Sequence, residues 1–187
     1  MTDQPPGMAA DPGRRGKYAR AERERRFLLA APPDTADVLA TRRITDRYLT
    51  GTRLRLRHSQ RLDTGELELK FTQKIPAGTP GPVQGWITNT YLSRGEYDLL
   101  ATLPAVTLTK IRFSVPPLGI DVFEGQLAGL IMAEAEFASD HDYETFTPPP
   151  SCIHEITSDV RFTGGRLAHA SQQDLLTWLS DYNLTPR

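Results

Sequence analysis

The chain has 187 residues, 39% of them hydrophobic and 24% charged, with a net charge of −1. That is enough for one domain with a sizeable core, and no apolar run approaches the roughly 20 residues needed to span a bilayer. The near-neutral balance argues against nucleic acid as a partner, and nothing in the composition calls for a membrane. A single cysteine, Cys152, excludes an internal disulfide; with an N-terminus that lacks an apolar signal segment, it fits a cytoplasmic protein.

Residues 1–16 are rich in Pro, Gly and small polar residues and read as a disordered tail, which leaves 17–187 as a single domain. The stretch AERERRF at 21–27 then alternates Glu22, Glu24 and Arg26 with Arg23, Arg25 and Phe27. As a strand, it places two carboxylates and a guanidinium on one side. Such a row is more often a solvated edge strand or a surface helix, but it also describes a wall that holds a divalent cation beside an anion. Asp34 or Thr35 caps a predicted short helix over 36–40, and a second strand covers 44–49. TRLRLRH at 52–58 alternates strictly, with Arg53, Arg55 and Arg57 opposite Leu54 and Leu56. A turn at 63–65 leads to a strand over 66–72, with Leu67, Leu69 and Phe71 opposite Glu68, Lys70 and Thr72.

The Pro- and Gly-rich segment 75–85 predicts an exposed loop before a strand at 86–92. Ser93 and Glu96 form a capping-box pattern for a helix over 93–103, which Pro104 ends. Val106 to Phe113 is a strand carrying Lys110 and Arg112 on one face, and 120–124 is another. In 131–137 Glu134 and Glu136 share a face, opposite Ile131, Ala133, Ala135 and Phe137. Residues 139–151 read as a loop, 153–157 as a last strand, and 171–182 as an amphipathic helix capped by Ser171.

Strand after strand therefore separates charge from aliphatic side chains, and it also sorts the charge by sign. Like charges at i and i+2 lie about 7 Å apart and repel, so such rows imply a bound counter-charge. The geometry that reconciles them is a closed antiparallel barrel of about eight strands, mainly β with flanking helices, with its polar faces inward. Its basic wall would suit a polyanion, and its carboxylate pairs would suit Mg²⁺ or Mn²⁺.

AERERRFLL resembles the Glu-x-Glu-x-Lys strand that opens the CYTH, or triphosphate tunnel metalloenzyme, superfamily. RLRLR, ELELK, KIRF, IDVFEGQLAGLIMAEAEF and EITSDVRF resemble its later strands in order, from about residue 18 to 170. The resemblance implies an eight-stranded tunnel that binds a triphosphate with a divalent metal. The implied activity is hydrolysis of inorganic triphosphate, a nucleoside triphosphate or thiamine triphosphate, with adenylate cyclase activity on ATP as an alternative. By position, Glu22, Glu24, Glu134 and Glu136 match the metal-binding acids, and Asp121 an aspartate before the second acidic strand. Arg55, Arg57, Lys70 and Arg112 match phosphate-binding cations, with Arg53 and Lys110 added by strand parity. Glu134, Glu136 and Lys70 are the catalytic candidates.

Arg26 stands where the family motif has lysine; it keeps the charge and can clamp phosphate, but it cannot lose a proton. A non-catalytic triphosphate- or polyphosphate-binding module is therefore a second reading. His58, His141, His154 and His169 lack ligand spacing, and Asp140, Asp142 and Glu144 lack the remainder of a calcium loop, so none is assigned a role.

Overall fold

The computed structural model describes residues 16–79 and 81–186; apart from Gly16, the expected N-terminal tail lies outside them. Alternating sequence becomes strand nearly everywhere it was predicted. The strands are β1 (Arg20–Glu22), β2 (Glu24–Leu28), β3 (Ala40–Leu49), β4 (Leu54–Arg61) and β5 (Leu67–Pro76). They continue with β6 (Gly85–Tyr91), β7 (Ala105–Val115), β8 (Leu118–Phe123), β9 (Ile131–Glu136) and the two-residue β10 (His154–Glu155). The helices are α1 (Arg94–Leu100), α2 (Asp140–Thr145), α3 (Gly164–Leu167) and α4 (Gln172–Ser180).

The capping box of α1 forms as predicted: the Ser93 hydroxyl accepts from the Glu96 amide, and the Glu96 carboxylate accepts from the Ser93 amide. Three expectations of local structure give way. The helix predicted at 36–40 shrinks to a single 3₁₀ turn at Thr35–Asp37, because β3 begins at Ala40 and recruits the segment into the sheet. The acidic segment predicted as loop contains α2, since Ser139 caps it through the Asp142 amide and Asp140 and Asp142 occupy its first turn. The last strand is cut to β10, because the chain then leaves the sheet for a 3₁₀ turn at Val160–Phe162.

All strand pairs are antiparallel, in the order β1-β6-β5-β4-β3-β7-β8-β9-β2-β10. The expected closed eight-stranded barrel is corrected: among the described residues the ladder has ten strands, and no pairing joins its first strand to its last. The physical reason lies at Arg23. The Glu22 carbonyl accepts from the Gln84 amide on the β6 side, while the Arg23 carbonyl accepts from Phe137 on the β9 side. One N-terminal segment thus changes partner in mid-course and counts twice. In a flat sheet β1 and β2 would lie about 38 Å apart at the usual strand spacing, yet three residues of chain reach only about 11 Å. The sheet must therefore curl until β6 and β9 flank the same segment.

Register decides which side chains share the concave face, because directly opposed residues point the same way. Starting at Glu22↔Gly85, that face collects Lys74, Thr72 and Lys70 of β5, Arg55 and Arg57 of β4, and Asp46 of β3. It continues through Lys110 and Arg112 of β7, Asp121 of β8, Glu134 of β9, and Glu24 and Arg26 of β2. The convex face carries two further apolar clusters. There α1 covers Leu56 and Leu69 through Tyr97, while Phe137, Phe146 and Cys152 pack over Phe27, Ile120, Ala133 and Ala135.

One part of the concave face is apolar as well. Leu28, Leu108, Phe123 and Met132 meet Ile156, Phe162, Leu167, Leu175 and Leu179 of the C-terminal segment in the largest buried cluster. These residues are each at most 5% exposed, so the segment plugs that part of the roll; the remaining, charged part of the concave face is termed the chamber.

Candidate functional site

The chamber is lined by two kinds of group whose separation follows strand order. On the acidic side, Glu22 and Glu24 come from either side of the Arg23 break, and Glu134 from the neighbouring β9. Lys74 reaches across from β5, with its ammonium 2.5 Å from Glu22 Oε1. Burial first, and then the charges of Glu134 and Glu22, push the Glu24 carboxyl up to about 7 against the opposing pull of Lys74 and Arg26. Burial also works to raise Glu134, but Arg112, Lys110 and Lys74 outweigh it and hold that carboxyl well below the usual range. Burial opposes the Lys74 charge too, yet Glu24 and Glu22 outweigh it, so this ammonium is held above its usual range.

On the basic side the cations are held by acids of their own. Arg112 donates to both Asp121 oxygens, at 2.7 and 2.6 Å, and to Glu134. Lys110 donates to Asp121 Oδ2 at 2.5 Å. Burial lowers the Lys110 ammonium despite Asp121, whereas Arg112 is raised because its two carboxylates overcome the cost of burial. Arg57 donates to both oxygens of Asp46 at 2.7 Å. Arg55 Nε stands 3.6 Å from Asp46 and has no hydrogen-bond partner although it is buried.

The structure thus brings Glu22, Glu24, Asp121, Glu134, Arg55, Arg57, Lys110 and Arg112 to one chamber. Lys70 lies on the same face beside Glu68, at 3.2 Å, and over the Tyr91 ring at 5.6 Å. Glu136 is opposite Glu24 in register but exposed. Arg53 is not brought in: it precedes β4 in an exposed turn.

Arg26 points along the same face but toward the plug. Its Nη1 donates to the Phe162 carbonyl at 2.6 Å and its Nη2 to the Thr157 carbonyl at 2.7 Å. Its Nε is 3.6 Å from Glu24 and without a hydrogen bond. A planar fork suits two divergent carbonyls better than a single ammonium does, which gives a physical reason for arginine at this place.

Sequence reasoning missed Asp46 and Lys74. Lys74 continues the parity of Lys70 and Thr72, two residues past the predicted strand end. Asp46 stands between Ile44 and Tyr48 on its face, with no like-charged neighbour there to mark it.

The acidic side offers oxygen donors alone, with negative charge that burial leaves incompletely offset at Glu24. That chemistry fits a hard divalent cation. Among the described residues no three His, Cys, Asp or Glu side chains stand together as a ready-made metal site. Mg²⁺ commonly takes one or two carboxylates and completes its shell with water and substrate phosphate, so Glu22 and Glu24, with Glu134 nearby, match it in kind.

A curled antiparallel sheet with an acid-and-base-lined concave face defines the structural class. No family model matches the chain. A curated inorganic triphosphatase from Nitrosomonas europaea is 41% identical over 49 residues, which is 26% of this chain and 32% of that protein. The match thus spans about a third of the relative's length. Among solved structures, the hypothetical protein NE1496 is 27% identical with a TM-score of 0.52, over 80% of this chain and 99% of that one. The structure of the inorganic triphosphatase NE1496 shares the fold at 24% identity and a TM-score of 0.53, over 81% and 96% of the two chains. The chain resembles the CYTH, or triphosphate tunnel metalloenzyme, superfamily in both sequence and fold.

Proposed function

We propose that the chain hydrolyses a small-molecule triphosphate, inorganic triphosphate foremost, with Mg²⁺ or Mn²⁺ as cofactor. The observation that carries this reading is a single concave face on which Glu22, Glu24 and Glu134 confront Arg55, Lys74, Lys110 and Arg112. The likeness to a curated inorganic triphosphatase supports it at the level of reaction class.

Glu22, Glu24, Glu134 and, at the exposed edge, Glu136 would hold the metal, which when bound supplies charge neutralisation of the phosphates and a more acidic water. Arg55, Arg57, Lys110 and Arg112 receive the phosphate oxygens and stabilise charge on the transferring phosphoryl group, with Lys70 receiving the outer end. Glu134 and Glu136 flank the acidic side, where a carboxylate orients the attacking water. Arg26 contributes by holding the plug.

Phosphate release from tripolyphosphate, ATP and thiamine triphosphate, with either cation and with a chelator, tests the proposal; cyclic AMP is measured in the ATP arm. The expected result is release from tripolyphosphate that the chelator abolishes and Glu24→Ala lacks. Equal rates for wild type and Glu24→Ala would refute it. The second reading, a polyanion-binding module without turnover, is favoured by one observation: the Arg26 guanidinium is committed to carbonyls and not to the chamber. It predicts salt-sensitive tripolyphosphate binding with no phosphate release.

A further inference from the structure

Asp46 is 1% exposed and sits in the middle of β3, opposite Arg57 in register. Nothing in its own chemistry calls for a carboxylate there except the two arginines that face it. Arg57 gives it one edge of the guanidinium, Nε and Nη2, both at 2.7 Å. The Nη1 edge is left for another acceptor. Arg55 lies two residues away on the same strand face, so the two guanidiniums repel one another unless an anion stands between them. Asp46 is that anion, at 3.6 Å from Arg55 Nε. Arg55 is steadied on its other side by Thr72 at 3.4 Å, whose hydroxyl donates to Asn89 at 2.8 Å.

We propose that Asp46 is a positioning residue that fixes Arg57 by one edge and holds Arg55 beside it, so that both guanidiniums present donors to the same phosphate anion. The inference rests on the reading of the chamber as a triphosphate site. It makes a prediction opposite in sign to simple electrostatics. Asp46→Asn adds one positive charge to the chamber, and charge alone would therefore tighten binding of a polyanion. If Asp46 acts by orientation, the same substitution releases Arg57 to rotate and loosens binding.

The experiment is calorimetric titration of the full chain with tripolyphosphate, with and without Mg²⁺, beside steady-state kinetics. Asp46→Asn is expected to weaken tripolyphosphate binding about tenfold or more, as loss of a hydrogen bond to a charged group does. KM should rise by more than kcat falls, because the residue acts on anion binding. Arg57→Lys, which keeps the charge and loses the fork, is expected to weaken binding to a similar degree, and it serves if Asp46→Asn does not fold. Asp63→Asn, which makes the same charge change at an exposed surface pair with Arg61, is expected to bind as wild type does.

Equal or tighter binding by Asp46→Asn, or unchanged binding by Arg57→Lys, would overturn the proposal. Wild type that binds tripolyphosphate but releases no phosphate defeats only the hydrolytic reading, and the variants' affinities still decide this one. Wild type that does not bind overturns both.

Discussion

Replacing Arg26 with lysine restores the family motif and should nevertheless weaken the protein. Arg26 is 6% exposed, and its two terminal nitrogens meet the carbonyls of Phe162 and Thr157 at 2.6 and 2.7 Å. A lysine ammonium ends about one bond short of those nitrogens, so it can approach Glu24 or one carbonyl but not both carbonyls in their present places. Leaving a buried acceptor unmet costs about 1–3 kcal/mol. For a chain of this size that corresponds to a fall in Tm of about 2–12 °C.

The assay is urea unfolding followed by Trp178 fluorescence in a Trp86→Phe background. Trp178 packs edge-on against Phe162 at 6.0 Å between ring centroids, so it reports on the plug itself. The midpoint should fall while the slope stays constant. An unfolding free energy within about 0.5 kcal/mol of wild type would refute the claim that the Arg26 guanidinium adds to the ties between β2 and the C-terminal segment, as that is the scatter expected of a surface substitution.

Glu24→Gln should change stability in a pH-dependent way. The folded-state carboxyl titrates at about 7 and its ordinary value is 4.5, so the folded chain holds the proton more tightly than the unfolded chain does. Stability from this group is present below about pH 4.5 and is lost as pH rises through about 7. With the side chain 13% exposed, the difference above that range is on the order of 3 kcal/mol in favour of the glutamine variant. Thermal unfolding at pH 4.5 and pH 8 reads it, and a gap that does not widen with pH would count against the crowded-acid account. Gly164→Ala should destabilise by about 1–3 kcal/mol as an overpacked contact, because a Cβ there would overlap the Tyr48 hydroxyl. Tyr48→Phe should restore part of that loss, and a failure to rescue would move the cause elsewhere.

Much of the sheet was legible because alternation is a local property. RLRLRH states its own two faces, and the register simply carries them to neighbours: Arg57 meets Lys70 and Arg55 meets Thr72. The acid pairs were legible for the same reason, as was the Ser93 cap. Strand ends were less so, and Lys74 was lost with the last four residues of β5, 73–76, which lie past the predicted strand end. Asp46 carried no signal at all, because a single carboxylate among Ile44, Arg47 and Tyr48 is indistinguishable from a surface residue until β4 and β7 close over it.

The sequence by itself determined which residues share a face and which charges must therefore find partners, since the two-residue period of a strand leaves no freedom there. Only the tertiary structure decided what those partners are. The change of pairing at Arg23 curls the sheet where a barrel was expected to close. The carbonyls that take Arg26 lie 131 and 136 residues further along the chain, a separation at which no local pattern carries information. What brings them to Arg26 is the burial of Phe162 and its neighbours against the apolar part of the same concave face.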